Sequence, residues 1–393
     1  MQQEVQTYKK MSSEKLWSLP YVFLMVSNAL LFMVFEMMLP TLPLFVRTIG
    51  GDAAQIGLVT GSFTLSAILV RIFAGVLATK INKKYLLIIG VAICTLTTGA
   101  YYLAPNVSIL VAIRLVNGAG FGLASTYFAT IVAEVIPKER RGEGIGYFGV
   151  GETVAISIGP MIGIMLLDLY GYQRLFLGGM AILLLSIMSI FLVKRKVTEE
   201  VPLQEVRVKL FEKRVFFPSF LVFFTGFAAS GIMSYLSLYA LDKNFEQVGL
   251  FFFTIAIASF IVRFFSGSLF DKYGPSIILI PGAILSLLGF FVLFNADSNP
   301  SFFIAAFLYG FGFGAIFPAI QTWCLNLVEE HQHEDAMASF YNFFDIGIGG
   351  GAVLLGLLAA KYSYQAVFLV AMICYIFFLM MYTVYKFRKN MIK

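Results

Sequence analysis

Charge is what this 393-residue sequence has least of: Asp, Glu, Lys and Arg together make up 13% of it, against about 25% in an ordinary soluble domain. The missing polar surface excludes a large water-soluble core and fits a chain whose outside faces lipid, where an unpaired charge is costly. Cysteine is also scarce. Cys94, Cys324 and Cys374 are odd in number, lie in apolar runs and form no C-x-x-C, so neither a disulfide framework nor a zinc site is expected. There are two histidines, His331 and His333, in the acidic stretch Glu329 to Asp335, which reads better as a solvated loop than as a metal site. H-E-x-x-H and G-x-S-x-G are both absent, so no motif supports an intramembrane hydrolase.

What the sequence has in abundance is apolar length. Its residues are 59% hydrophobic, with 42 Phe, 19 Tyr and 35 Gly, and the mean hydropathy is +0.86. Runs long enough to span a bilayer recur twelve times, over residues 17–46, 53–78, 85–104, 107–134, 144–168, 172–193, 215–241, 246–270, 276–296, 300–328, 336–360 and 363–385. With the N-terminus inside, 21 of the 28 Lys and Arg fall in inner segments, four in outer segments, and Arg71, Arg114 and Arg263 within spans. That bias predicts a multi-pass protein of the cell membrane with both termini in the cytoplasm. It also explains the net charge of +6 without a nucleic-acid partner. The first run is expected to be a retained signal anchor.

The chain repeats itself. Gln55-Ile-Gly-Leu58 recurs as Gln247-Val-Gly-Leu250, an offset of 192, and Val70-Arg71 recurs at the same offset as Val262-Arg263. Lys80 matches Lys272, and Gly118-x-Gly120-Phe-Gly122 matches Gly310-x-Gly312-Phe-Gly314. No strand pattern precedes the latter glycines, so they read as helix packing and not as a nucleotide fingerprint. Each half holds an even number of spans, so the repeat is parallel, as in transporters whose halves are related by an axis along the membrane normal. The fold class expected is all-α integral membrane, with a first half over 1–193, a cytoplasmic linker over 194–214 and a second half over 215–393.

Motifs sit at matching places. The turn after the second span reads Gly75-Val-Leu-Ala-Thr79-Lys80-Ile-Asn82-Lys83-Lys84, and its second copy reads Gly267-Ser-Leu-Phe-Asp271-Lys272-Tyr-Gly274. Arg114-x-x-Asn117-Gly118-x-Gly120 lies in the fourth span, Gly159-Pro160-x-x-Gly163 in the fifth, and Pro40-x-Leu-Pro43 at the end of the first. A Gly-Pro pair frees a backbone carbonyl and removes bulk, so the helix can bend and pack tightly. These segments resemble the loop signature and the helix motifs of the major facilitator superfamily, in particular its twelve-helix drug:proton antiporters. Thr79 replaces the signature's acid, Asn82 its second Gly, Asn117 a Gln, and Ala155 and Ile164 two glycines of the antiporter motif. The resemblance implies that Gly75, Lys80, Lys83, Gly267, Asp271, Lys272 and Gly274, with Gly159, Pro160 and Gly163, take part in gating.

The charges within spans divide by depth. Arg71 and Arg263 lie about 10 Å from the inner ends of their helices and read as snorkelling structural anchors. Glu134, at the inner end of the fourth span, is expected to pair with Arg140 or Arg141. The repeat puts Ala306 opposite Arg114 and Ala228 opposite Glu36, so symmetry accounts for neither. The resemblance assigns Arg114 to proton coupling through a nearby carboxylate. Glu36, Glu152 and Asp345 are the carboxylates deep enough to take part. Low dielectric favours the neutral form of such a group, which leaves two readings open, a proton carrier or an acid buried neutral or paired with Arg. Glu152 and Asp345 lie at nearly equivalent positions of the two halves.

The resemblance further implies that the first, fourth, seventh and tenth spans line a central cavity. Asn28, Glu36, Tyr127, Ser234, Tyr235, Gln321, Trp323 and Asn326 are the substrate-binding candidates there. The expected function is proton-coupled export of a small amphipathic or cationic compound by a monomer that alternates its access, with the proton gradient in place of a cofactor. Export of a polar metabolite or metallophore and uptake by the same fold are the near rivals. A receptor or an intramembrane enzyme is the rival of another class.

Overall fold

The computed structural model describes residues 16–78, 80–137, 140–193, 212–329 and 332–391. Eleven long helices account for most of them: α1 Leu19–Thr48, α2 Ala53–Ala78, α3 Lys83–Ala100, α4 Val107–Val135, α5 Arg141–Leu192, α6 Phe216–Asp242, α7 Val248–Tyr273, α8 Ser276–Phe294, α9 Asn299–Leu325, α10 His333–Lys361 and α11 Tyr364–Met391. A bilayer core is about 30 Å thick. At 1.5 Å per residue the 52 residues of α5 are far too long for one crossing. Its backbone leaves the helix at Gly171 (φ 75°, ψ 174°), in a region few residues other than Gly enter. α5 therefore supplies the fifth and sixth spans, which the sequence separates at 169–171, and the chain crosses twelve times.

Local chemistry sets the helix starts. Asn82 Oδ1 accepts from the Lys84 amide at 2.9 Å and Asn106 Oδ1 from the Ile109 amide at 3.0 Å. These are side-chain caps for orphan N–H groups. Asn82 thus has a capping task of its own where the loop signature carries Gly. Asp52 and Gln55 cap one another reciprocally at the start of α2, which gives the repeated Gln a local structural role in the first half. Gly274 ends α7 with φ +76° and donates its amide to Phe270 O.

The repeat is visible in packing. A Cβ at Gly118 would strike the backbone of Phe63, and one at Gly310 the backbone of Ile255; Gly122 likewise approaches Ala67, and Gly314 approaches Ser259. Gly120 faces Gly90 and Gly312 faces Gly282. Every one of these partners is displaced by 192 residues, like the glycines themselves. Small residues let backbones approach closely in lipid, where no hydrophobic force drives helices together. The close approaches of the first half thus recur in the second at the same register.

Twelve crossings bring both ends of the chain to the same side, here the terminal face. The halves meet along α1 and α6, α2 and α10, and α5 and α7. Near the far face the contact is close: a Cβ at Gly356 would lie 2.6 Å from Ala53 O, Gly57 abuts Ala352, and Arg47 bonds Asp242 at 3.0 Å. The predicted linker falls almost wholly outside the described residues, as does Thr79.

Candidate functional site

α10 carries the centre of the site because its glycines let it wedge between the halves. Gly347 and Gly351 sit against Phe223 and Phe227 of α6, while Gly349 sits against Thr64 of α2. Tyr341 and Asp345 are four residues apart, so they share the helix face that looks across the seam. Asp345 forms an ion pair with Arg71 of α2, and Arg71 also donates to Ser125 Oγ of α4 at 3.4 Å. Tyr341 donates to Glu152 Oε2 of α5 at 3.4 Å. Asn28 Nδ2 of α1 donates to Glu152 Oε1 at 2.9 Å, and Gln321 Nε2 of α9 donates to Tyr341 OH at 3.1 Å.

Six helices thus contribute a polar network of two adjacent parts, each crossing from half to half once, through Arg71–Asp345 and through Glu152–Tyr341. It lies in the terminal-side half of the spans, with Arg71 near the end of α2 at Ala78 and Gln321 near the end of α9 at Leu325. The Arg71 and Asp345 side chains keep 22% and 27% of their exposure, so the network stays accessible although it sits at membrane depth. Both cross-half links are between groups that can change charge or partner, an arrangement suited to exchanging one cation for another.

Of the predicted site residues, the structure brings together Asn28, Glu152, Gln321 and Asp345. It adds three that the sequence reading missed: Arg71, Ser125 and Tyr341. The snorkelling-anchor reading of Arg71 is corrected, since its guanidinium turns to Asp345 and not along the helix to the membrane surface. The one signal for Tyr341 was its spacing of four from Asp345. Nothing local marks Arg71 as a partner of Asp345, because 274 residues separate them.

The other candidates lie elsewhere. Glu36 is buried in α1 with Oε2 unpartnered, behind the seam against the motif in α5: a Cβ at Gly159 would stand 2.6 Å from Glu36 Cβ, and one at Gly163 would stand 2.8 Å from Met37 Cα. Gly159 and Gly163 therefore seat α5 on α1, and Pro160 lies inside α5 between them. Arg114 is buried in the first half, donating to Tyr101 OH at 3.2 Å and Asn117 Oδ1 at 3.3 Å, with its guanidinium 4.1 Å from the Phe63 ring centroid. Among the described residues its partners are neutral, and the carboxylate expected beside it is not among them. Tyr127 donates to Ala74 O and Tyr235 to Ala352 O, each within its own half. Trp323 packs in the second half among Phe217, Tyr382 and Tyr385. Ser234 is buried with its hydroxyl unpartnered, and Asn326 caps the end of α9.

The loop elements spread along the terminal face. Gly75 lies in the last turn of α2 and Lys80 is exposed just after it. Lys83 pairs with Glu134 at the terminal-face end of α4. Lys84 donates to Val193 O at 2.9 Å, satisfying a carbonyl at the end of the sixth span. In the second copy Asp271 is exposed, Lys272 lies 5.1 Å over the Tyr273 ring, and a Cβ at Gly267 would meet nothing within 4 Å.

Comparison with known proteins gives a consistent answer. The sequence profile described as Major Facilitator Superfamily matches residues 24–267 and 219–390. The chain is 27% identical over 361 residues to the multi-drug resistance efflux pump PmrA of Streptococcus pneumoniae, covering 87% of this chain and 90% of that one. It is 26% identical over 328 residues to the quinolone resistance protein NorA of Staphylococcus aureus, covering 79% and 83%. Among solved structures it resembles a bacterial homolog of the human lysosomal transporter Spinster in an inward-facing, unoccupied conformation. The TM-score there is 0.73 at 17% identity, covering 94% of this chain and 95% of that one.

Proposed function

The chain belongs to the Major Facilitator Superfamily, and from that premise we propose that it exports a small amphipathic or cationic compound in exchange for protons. It is a multi-pass membrane transporter and not an enzyme. The observation that carries the proposal is the network at membrane depth in which Glu152 and Asp345 reach across the seam to Tyr341 and Arg71. The similarity to pumps named for multidrug and quinolone resistance supports export of drug-like compounds.

On this reading the terminal face is cytoplasmic, because most of the basic residues lie there, and the protein sits in the cell membrane. The far face, closed in this structure by the contacts of Gly356 with Ala53 and of Gly57 with Ala352, is then the outer one. Residues 1–193 and 215–393 rock against one another, joined by 194–214. A cation entering from the cytoplasm meets Glu152, whose carboxylate is held by two neutral donors and forms no ion pair among the described residues, the nearby Arg71 being paired with Asp345. When the halves rock and the far face opens, a proton from outside displaces the cation from Glu152, and the neutral acid returns inward. One chain supplies both sides of the seam, so a monomer suffices.

The test is reconstitution in vesicles with an imposed proton gradient, following an amphipathic cation such as ethidium. Gradient-dependent movement of ethidium against the proton flow supports the proposal. Movement in the same direction as protons identifies an uptake permease, and ethidium binding without flux identifies a receptor; either result overturns export.

A further inference from the structure

The charges around the seam can be counted. Two carboxylates, Glu152 and Asp345, and one guanidinium, Arg71, meet there. The remaining partners, Asn28, Ser125, Gln321 and Tyr341, are neutral donors or acceptors. The other charged groups described within the spans are engaged or placed elsewhere: Glu36 is behind α1 against Gly159, Arg114 is among Tyr101, Asn117 and Phe63, and Glu134 pairs with Lys83 near the terminal face. Arg263 lies on α7, its Nε buried without a partner.

With Glu152 ionised, the three charged groups bonded across the seam, Glu152, Asp345 and Arg71, therefore carry one net negative charge. We infer that Arg71 sets the charge of the transported compound: by neutralising Asp345 it leaves Glu152 as the single free counter-charge, so the site takes monocations and rejects dications. The inference rests on the proposed cation export through this network and deepens it. The physics is that of charge in low dielectric. A single positive group exchanges its water for Glu152, and the loss of hydration is offset by an ion pair. A second positive group on the same molecule would find its nearest carboxylate already paired and a fixed guanidinium beside it. It would then be desolvated and repelled together.

Removing the Arg71 charge should reverse this choice, because Asp345 becomes a second free counter-charge. The experiment is equilibrium binding to the purified full-length protein of tetraphenylphosphonium, with one charge, and of a bis-triphenylphosphonium joined by a ten-carbon chain, with two. For the wild type the monocation should bind at least about tenfold more tightly. Arg71→Gln should lower that preference by about tenfold or more, and Arg71→Lys should keep it. Because Arg71→Gln also breaks a link between the halves, the double variant Arg71→Gln/Asp345→Asn is the decisive control. It lacks the same link but restores one net negative charge, so it should recover the monocation preference. If Arg71→Gln binds the monocation with its preference unchanged, or if the double variant behaves like Arg71→Gln alone, the charge-setting role is wrong while cation binding stands. If the wild type binds neither compound, the cation-export reading falls and this inference falls with it.

Discussion

Arg71 of α2 pairs with Asp345 of α10, and the repeat reproduces one member of that pair only. The counterpart of Arg71 is Arg263, whereas the counterpart of Asp345, 192 residues earlier, is Thr153. The acid on that helix is one position away at Glu152, turned to Asn28 and Tyr341, and Arg263 Nε is left buried and unpartnered. Corresponding positions of the repeat have thus diverged into one cross-half ion pair and one accessible acid.

The ion pair should help hold the far face closed. Arg71→Ala or Asp345→Asn is expected to shift the conformational equilibrium toward a far-face-open state by about 1–3 kcal/mol, between the values for exposed and fully buried pairs. Spin labels at Thr48 and Lys243, both exposed beside the Arg47–Asp242 contact, would report longer distances. The reversed pair Arg71→Asp/Asp345→Arg should restore much of the short-distance population. Unchanged distances in both single variants would show that the Arg71–Asp345 pair does not bias the conformation.

Glu152→Gln keeps the size of the side chain and its contacts with Asn28 and Tyr341 but cannot exchange a proton. It is expected to abolish gradient-driven flux and to flatten the dependence of substrate binding on pH. Tyr341→Phe removes one hydrogen bond to the same carboxylate, worth about 1 kcal/mol, and should weaken transport only severalfold. Flux across a series of pH values in reconstituted vesicles decides. Wild-type flux and pH profile in both Glu152→Gln and Asp345→Asn would move the proton to Glu36.

Arg114 should be required for proton-driven transport without touching the seam. Its guanidinium bonds Tyr101 and Asn117 and lies over Phe63, a planar arrangement that lysine reproduces poorly. Arg114→Ala is expected to insert normally and lose gradient-driven flux, with Arg114→Lys well below wild type. Wild-type flux in folded Arg114→Ala protein would leave Arg114 a packing role only.

Gly163 and Gly267 should differ sharply from one another. A methyl at Gly163 would stand 2.8 Å from Met37 Cα, while one at Gly267 would meet nothing within 4 Å. Gly163→Ala is expected to cost about 1–3 kcal/mol by overpacking α1 against α5. Gly267→Ala should be neutral or slightly stabilising, since Ala is the better helix former. Thermal unfolding in detergent compares the two, and equal losses would contradict the packing described.

Much of this architecture was legible in one dimension. Spans announce themselves because lipid forbids unpaired backbone and charge over about 20 residues, and that signal depends on no partner. The 192-residue register carried the close approaches too, because a glycine at a helix crossing is needed whatever lies opposite. Hence the run from Gly310 to Gly314 reads as a packing face without its neighbours Ile255 and Ser259.

Sequence alone therefore determined the number of crossings, the 192-residue repeat and the depth of each buried charge. Which buried charges meet was decided only by the tertiary structure. Depth fixes how far along a helix a residue lies, but contact also needs the direction in which its side chain points and the identity of the neighbouring helix. Glu152 and Glu36 are both deep acids; rotation about the helix axis sends one into the seam and the other against Gly159. Arg71 looked free to reach the membrane surface until α10, thinned by its glycines, brought Asp345 within bonding distance. A desolvated cation takes the nearest carboxylate that packing supplies, and packing across 274 residues leaves no trace in local spacing.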